Sequence, residues 1–323
     1  MRDVAERVGL SRQLVSIVLR GAPGASEESR DRVLAAAREL GYHPDDSARM
    51  LRRRRSGQLG VLFTMRQPFE VDLVDALYRR AAEHGYTLAL GTVSEGRSAN
   101  EALAALMRQR IEALIVLHSG AGPFSEAPAG IPTLLLGGPV APAECDAVRI
   151  ENALGIGLAL EHLTGLGHRR IAYVGAEAGP NAEERLAGYL DAARRSGLSP
   201  EVLPSSPTEE GGHAVASELL ARGGDRPTAL VCVNDHCAIG ALQTLVRAGV
   251  RVPQDLSIVG FDDSTAAALP FIELTSVRPD PDRMAELAVE AVRARLERPG
   301  APAAIHRVTP VLAVRASTAS PAR

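Results

Sequence analysis

The chain has 323 residues, of which 46% are hydrophobic and 23% are charged. That length supports two or three packed units, and no apolar run approaches the ~20 residues that a membrane-spanning helix needs. The three cysteines are sparse and odd in number, which favours a reducing compartment over a disulfide framework. Because the chain opens with charged, amphipathic sequence instead of an apolar signal core, we expect a soluble cytoplasmic protein of several domains.

Charge is unevenly distributed along the chain. The formal net charge is −3, yet residues 1–57 contain 12 arginines against 8 acidic residues, which gives +4 there and leaves −7 for the remainder. A basic head on an acidic body predicts a polyanion partner at one end of the protein. Aromatic residues are only 3% of the chain, and tryptophan is absent, which disfavours single-strand binding by base stacking.

Residues 3–20, DVAERVGLSRQLVSIVLR, have the pattern of a helix-turn-helix. Two short amphipathic segments flank Gly9 and Leu10, and Ser11 stands where a side-chain oxygen caps the second helix. Apolar positions that recur at helical spacing are predicted to pack together: Val4, Ala5, Val8, Val15, Val18 and Leu19. The opposite face of the second helix carries side chains that suit the major groove of DNA: Arg12, Gln13, Ser16, Ile17 and Arg20. Taken alone, this pattern is more typical of an ordinary solvated helix with a polar face.

A third helix and a basic linker complete the head. Ser26 can cap the helix and Gly41 can end it. The apolar stripe of that helix is predicted to contain Val33, Leu34, Ala37 and Leu40. Three helices predict an all-α headpiece over residues 1–44, followed by a short helix and linker at 45–57. Four consecutive arginines at 52–55 are either a solvated linker or a set of phosphate contacts.

From residue 58 onward, short β-rich runs alternate with amphipathic helices. We predict strands at 59–63, 87–90, 114–117, 133–136, 171–174, 230–233 and 257–261. We predict helices at 71–84, 100–109, 153–164, 182–196, 211–222 and 238–248. The alternation indicates two α/β lobes, each with a parallel sheet covered on both faces. Ligands of such sheets bind beyond the carboxyl ends of the strands, so the cleft between the lobes is the expected site.

Signals for other chemistries are weak. Cys232 and Cys237 lack the fuller ligand set of a metal site and are predicted to be buried. Gly155 and Gly157 lack the third glycine of a dinucleotide loop. We find no nucleophile elbow, phosphate loop or supported pair of catalytic carboxylates, so we expect no enzyme activity, no metal and no cofactor. A solute-binding receptor would share the two-lobed body, but the helical head disfavours it.

The chain resembles the lactose-repressor and galactose-repressor family of bacterial transcription regulators over almost its whole length. The resemblance is carried by DVAERVGLS, SEESRDRVLAAARELGYHP, EHLTGLGHRRIAYVG, PTALVCVNDHCAIGALQTL and GVRVPQDLSIVGFDD. It implies a helix-turn-helix headpiece, a hinge helix and a body like a periplasmic binding protein. Lobe 1 would span about 58–148 and 278–305, and lobe 2 about 149–277 and 306–323.

The resemblance also implies a function. We expect a repressor that binds a pseudo-palindromic double-stranded operator as a homodimer or a tetramer. A small-molecule effector in the cleft, sugar-like in this family, would control DNA binding, either as an inducer or as a corepressor. Family members usually have several residues before the DVAERVGLS stretch, so we expect weaker DNA binding from a chain that starts at Met1 than from one extended upstream.

DNA contacts carried over from the family fall on the second helix and the hinge. Ile17 replaces a common arginine, so it either touches a thymine methyl group or packs in the core. Leu51 matches the leucine that wedges into the minor groove, although it could instead simply pack in its helix. Asp45 replaces a usual asparagine, and Arg49 could compensate its charge. The full set of expected DNA contacts is Ser11, Arg12, Gln13, Ser16, Ile17, Arg20, Arg49, Leu51, Arg52 and Arg53.

Effector binding is assigned by the resemblance to five side chains: Phe69, Arg185, Asn234, Asp235 and Asp262. Arg185 belongs to the RLAGY motif, and its fork of donors suits hydroxyl or carboxylate groups. Phe69 could instead be lobe core, and the strand-end residues could be ordinary turn residues. Gly137 stands where the family commonly has an aspartate. The loss of that acceptor weakens the expectation of a sugar, because a buried hydroxyl without a partner costs about 1 to 3 kcal/mol.

Overall fold

The computed structural model describes residues 1–19, 22–41, 56–65, 68–94, 96–117, 128, 130–138, 145–176, 179–222 and 226–322. The chain forms two compact units, Met1–Ser56 and Gly57–Arg323. Six residues named above for the DNA interface lie outside the described residues, so their roles stay predictions: Arg20, Asp45, Arg49, Leu51, Arg52 and Arg53.

The described residues of the first unit form three helices: α1 (Arg2–Val8), α2 (Arg12–Leu19) and α3 (Glu27–Glu39). Gly9 ends α1 with a φ of 66°, a conformation that glycine adopts without steric cost. The hydroxyl oxygen of Ser11 accepts a hydrogen bond from the Leu14 amide at 3.2 Å, and that of Ser26 accepts one from the Ser29 amide at 3.3 Å. Both predicted helix caps are therefore confirmed.

The first unit has its own core, made of Val4, Ala5, Val8, Val15, Val18, Val33, Ala36 and Ala37. This confirms the predicted packing of α2 on α1. Leu40 was expected on the apolar stripe of α3 but is 46% exposed. The expectation is wrong because α3 ends at Glu39 and Leu40 is its C-cap.

In the part of the second unit that the structure describes, the strands form two six-stranded sheets. The strands of lobe 1 are β1 (Gln58–Thr64), β2 (Thr87–Val93), β3 (Ala113–Leu117), β4 (Thr133–Leu136), β5 (Asp146–Ile150) and β11 (Ile305–Val308). They are parallel and lie in the order β11-β5-β4-β3-β1-β2. Its helices are α4 (Pro68–Glu83), α5 (Ala99–Arg108) and α10 (Pro281–Glu297). Val61 and Leu62 of β1 belong to different apolar clusters, as expected of a sheet covered on both faces.

Lobe 2 repeats this architecture. Its strands are β6 (Ile171–Val174), β7 (Glu201–Leu203), β8 (Ala229–Cys232), β9 (Ser257–Phe261), β10 (Thr275–Arg278) and β12 (Val311–Ala313). Their order is β12-β10-β9-β8-β6-β7, and only β12 runs antiparallel to its neighbour. Its helices are α6 (Asn152–Gly165), α7 (Pro180–Arg195), α8 (Glu209–Ala221) and α9 (Asp235–Arg247). All seven predicted strands are present.

The chain crosses between the lobes three times, after β5, β10 and β11. These strands end at Ile150, Arg278 and Val308, so each crossing lies slightly later than the boundaries expected after 148, 277 and 305. Within the described residues, no helix is both long enough and apolar enough to cross a membrane.

Candidate functional site

A cavity lies between the two lobes at the carboxyl ends of their strands. Leu117, Leu136 and Ile150 end β3, β4 and β5 on the lobe 1 side. Asn234 and Asp262 follow β8 and β9 on the lobe 2 side. Both parallel sheets therefore present strand ends to one space, the position expected for a ligand.

The structure brings together four of the five side chains predicted for effector binding: Phe69, Arg185, Asn234 and Asp262. Asn234 is fixed by its role as the N-cap of α9. Its side-chain oxygen accepts from the Cys237 amide at 3.0 Å, and its side-chain nitrogen donates to the Pro207 carbonyl at 3.0 Å. The amide is thus held at the cavity edge in one orientation.

Arg185 is the best-anchored cation of the site. Its Nε donates to Oδ1 of Asn152 at 2.9 Å, its Nη1 to the Val233 carbonyl at 2.7 Å, and its Nη2 to Oδ1 of Asp262 at 3.1 Å. The guanidinium also lies 3.6 Å from the centroid of the Phe261 ring. Three different acceptors and one aromatic face define the plane of the fork, a geometry that lysine cannot reproduce.

Asp262 and Arg185 form an almost enclosed ion pair, with side chains 12% and 8% exposed. Asp262 has a φ of 105°, which turns the chain sharply just after β9. Burial raises the pKa of Asp262, and the adjacent Arg185 opposes that rise by stabilising the carboxylate. The pair leaves this wall of the cavity polar but without net charge.

Asp235 lies outside the described lining of the cavity, whereas its neighbour Asn234 belongs to that lining. It is 1% exposed; its carboxylate accepts from the Ser276 hydroxyl at 2.6 Å and from the Ser264 amide at 2.7 Å. Burial and the nearby charge of Asp262 raise the pKa of Asp235 to about 7. Asp235 therefore holds the turn that carries Asp262 instead of facing a ligand.

Sequence reasoning missed a group of polar side chains at and beside the lobe 2 wall of the cavity, one of which, Asn181, lines it. Asn152, which accepts from Arg185, donates to Asn181 at 3.0 Å and to Glu184 at 3.1 Å. Glu184 in turn accepts from Arg149 of lobe 1 at 2.7 Å. Nothing local in the sequence marks these residues, because their partners lie on other elements of the fold.

Among the described residues, the lobe 1 wall combines apolar side chains with the carboxylate of Glu70. Its apolar members are Phe69, Leu73, Leu117, Leu136 and Ile150. Glu70, the carboxylate, is 2% exposed and accepts from the amide and hydroxyl of Thr64 at 2.7 and 3.0 Å. Gly137 has a φ of 86°, and a β carbon there would lie 3.8 Å from its nearest neighbour, the terminal methyl of Met284. The missing side chain therefore leaves space at this wall.

In the first unit, α2 separates its apolar and polar faces. Val15 and Val18 are buried, whereas Arg12 and Gln13 are exposed. Ser11 is also exposed, and Ser16 and Ile17 are half-buried. The face opposite the core thus carries the side chains predicted to meet DNA.

Two discounted motifs have packing roles. Cys232 and Cys237 are fully buried at the end of β8 and in the first turn of α9, as expected. At Gly155 a β carbon would lie 2.8 Å from Val277 and 2.9 Å from Phe261. Gly155 therefore lets α6 approach the sheet of lobe 2.

Comparison with known proteins agrees with this architecture. Residues 1–45 match the model for bacterial regulatory proteins of the lacI family, and residues 160–318 match the periplasmic binding protein-like domain. The ribose operon repressor of Escherichia coli strain K12 is 32% identical over 330 residues, covering 98% of this chain and 99% of that protein.

Two solved structures each cover 98% of this chain and 98% of their own. The lac repressor dimer bound to operator and the anti-inducer ONPF has a TM-score of 0.77 at 27% identity. The complex of the transcriptional regulator CelR with cellobiose has a TM-score of 0.72 at 28% identity. With a helix-turn-helix unit and a two-lobed α/β unit, the chain belongs to the lacI family of bacterial regulatory proteins and is a transcriptional regulator, not an enzyme.

Proposed function

We propose that this protein is a cytoplasmic repressor that binds a pseudo-palindromic operator as a homodimer and responds to a small molecule held between its lobes. One observation carries the proposal: the same chain combines a helix with exposed Arg12 and Gln13 and a two-lobed cavity around Arg185. The first feature suits reading DNA, and the second suits binding a metabolite.

Operator reading is assigned to the first two turns of α2. Arg12 can bridge the two acceptors of a guanine, and Gln13 can pair with an adenine. Ile17 is half-buried and lies outside the core cluster of its unit, which supports a contact with a thymine methyl group. The proposal keeps Ser11 and Ser16 beside them, together with the hinge residues named above.

An exposed apolar surface supports dimerisation through the two-lobed unit. Phe271 is 77% exposed and Leu269 is 36% exposed, in the segment between β9 and β10. This segment adjoins α4, because the Thr265 hydroxyl donates to Asp72 at 3.2 Å, and Val71 on α4 is 50% exposed. Exposed apolar residues grouped in this way are typical of an interface. A partner seated here would contact both lobes.

Helix α7 is the element that relates the cavity to lobe orientation. Arg185 lines the cavity, and the preceding Glu184 pairs with Arg149 of lobe 1. A ligand that moves the guanidinium therefore acts on the same helix that bridges the lobes. Since similar proteins are named for ribose and cellobiose, we take a sugar-like metabolite as the effector class.

Capture of genomic fragments by the full-length protein, followed by gel-shift titration, tests this function. We expect enrichment of inverted repeats and an affinity that falls steeply with salt. Arg12→Ala should weaken operator binding about tenfold, since a bidentate base contact is worth about 1 to 3 kcal/mol. Arg38→Ala removes an equal charge from exposed α3 and should have little effect. Failure to retain any fragment at low ionic strength would refute the proposal, and ligand binding without DNA affinity would indicate a solute receptor.

A further inference from the structure

We infer that Glu184 is a positioning residue of the candidate effector site: it ties lobe 1 to the guanidinium of Arg185 in lobe 2, so that Arg185 keeps its orientation only while the lobes stay in contact at Arg149. This inference rests on the proposed function, because it concerns how the lobes control the same cavity.

Glu184 of α7 holds both sides of the first crossing between the lobes. Its Oε1 accepts a hydrogen bond from Nη2 of Arg149 at 2.7 Å, and its Oε2 accepts one from the side-chain nitrogen of Asn152 at 3.1 Å. Arg149 lies near the end of β5 in lobe 1, whereas Asn152 begins α6 of lobe 2. The chain crosses between these two residues, so a rotation of one lobe against the other at this crossing acts directly on both hydrogen bonds of Glu184.

Asn152 carries the link from Glu184 to the cavity. It is 1% exposed; its side-chain nitrogen donates to Glu184 and, at 3.0 Å, to Asn181, and its side-chain oxygen accepts from Nε of Arg185 at 2.9 Å. A primary amide has its donors on one side and its acceptor on the other, so the two acceptors around the nitrogen hold the oxygen toward Arg185. Without Glu184, one buried N–H loses its partner, and the amide is held less firmly.

The ion pair between Arg149 and Glu184 is partly sheltered from solvent. Their side chains are 18% and 33% exposed, whereas those of Arg195 and Asp191, which pair on the same helix as Glu184, are 67% and 60% exposed. Charges partly withdrawn from water interact more strongly than exposed charges, which salt screens. The first pair therefore favours the lobe arrangement of this structure, and the second provides a matched control.

Arg185 is the end point of this chain of contacts. Its Nε meets Asn152, while its Nη1 and Nη2 contact Val233 and Asp262 of lobe 2. Hydrogen bonds within one network depend on one another. Loss of Arg149 should therefore loosen the Nε contact first and leave the two Nη contacts in place, a pattern that general destabilisation would not produce.

The Nε–Hε signal of Arg185 in a ¹⁵N–¹H correlation spectrum of the full-length protein, without ligand, tests the inference. Arg185→Met assigns the signal by deleting it. In Arg149→Met we expect the Nε proton to exchange with solvent at least about threefold faster, since members of one hydrogen-bond network are coupled. Arg149→Lys keeps the charge and should restore much of the protection, and Arg195→Met should leave the signal unchanged. An equal exchange rate in Arg149→Met and the wild type, or no protected Arg185 signal in the wild type, would overturn the inference.

A double-variant comparison tests whether the link runs through Glu184. Glu184→Gln keeps an acceptor for Asn152 but removes the charge that pairs with Arg149. In this background Arg149→Met should change the exchange rate by less than about 1.5-fold, because the link is already broken. An effect as large as in the wild-type background would mean that Arg149 acts by another route, and would contradict the inference.

Gel-shift titration of the same proteins separates the two claims. If the wild type binds its operator while the Arg185 signal is insensitive to Arg149→Met, the inference fails and the proposed function stands. If no operator is bound, the proposed function itself fails, whatever the exchange rates are.

Discussion

Replacement of Arg185 by methionine should destabilise the two-lobed unit in a way that depends on pH. Methionine keeps the apolar stem and a contact with Phe261, but it removes the hydrogen bonds to Asn152, Val233 and Asp262. The Asp262 carboxylate, 12% exposed, is then left without its counterion. The perturbation therefore isolates charge and hydrogen bonding from packing.

The expected loss is about 3 kcal/mol near pH 8, the lower end of the cost of removing one partner of a buried ion pair. For a unit of this size, that loss lowers the melting temperature by roughly 6 to 12 °C. The sign with pH follows from Asp262, whose pKa is already raised from 3.8 by burial and should rise further without Arg185. A carboxylate whose folded pKa is raised penalises folding fully above that folded pKa, so the deficit should shrink as pH falls through the folded pKa toward the unfolded value of 3.8.

Thermal unfolding followed by far-UV circular dichroism is the appropriate assay, because the chain has no tryptophan. Asp262→Asn combined with Arg185→Met should recover part of the loss by removing the unpaired charge. Arg195→Met on the same helix removes an exposed pair with Asp191 and should change stability by about 0.5 kcal/mol or less. A deficit in Arg185→Met that is independent of pH would refute this reasoning.

Two further predictions concern lobe 2. Gly260→Ala should lower the free energy of unfolding by about 2 to 3 kcal/mol, because its methyl group would lie 2.2 Å from Oδ1 of Asp235. Gly157→Ala in α6 is the control, since its methyl group would enter open space and should be neutral or stabilising. Urea unfolding of the two variants tests the difference. His168 is 1% exposed and contacts the hydroxyls of Thr228 and Ser257, and burial lowers its pKa from 6.5. As pH falls, the unfolded state therefore binds a proton at His168 before the folded state does. The contribution of buried, neutral His168 to the free energy of unfolding is complete above pH 6.5 and declines as pH falls from 6.5 toward the folded pKa. The free energy of unfolding, measured over this pH range, should have a flatter slope for His168→Asn than for the wild type, and equal slopes would contradict the assignment.

Local patterns predicted seven of the twelve described strands but not β5, β7, β10, β11 or β12, and they did not predict helix α10. Strand β5, DAVRI, was missed because Asp146 and Arg149 interrupt its apolar pattern. Asp146 is nevertheless 4% exposed, since Arg295 of α10 donates to both of its carboxylate oxygens at 2.8 and 2.9 Å. That partner is distant in sequence, so no local window reveals that the charge is compensated.

The candidate site also combines features that the sequence predicted with features that depend on tertiary contacts. Strand-end position and family resemblance placed Arg185, Asn234 and Asp262 at the cavity, yet neither indicated that Arg185 and Asp262 neutralise each other. Asn234 and Asp235 are adjacent, and both were expected to face the ligand. At the start of α9, Asn234 lies at the cavity edge, whereas Asp235 accepts hydrogen bonds from Ser264 and Ser276. Tertiary contacts determine this difference.

The most direct measurement of the central claim is the operator dissociation constant with and without a saturating cavity ligand, paired with the ligand dissociation constant with and without operator. Linkage requires both ratios to be equal, and coupling of this kind is typically about 5- to 150-fold. We predict two equal ratios within this range for the wild type. Operator affinity unchanged by a ligand that fills the cavity would contradict the account.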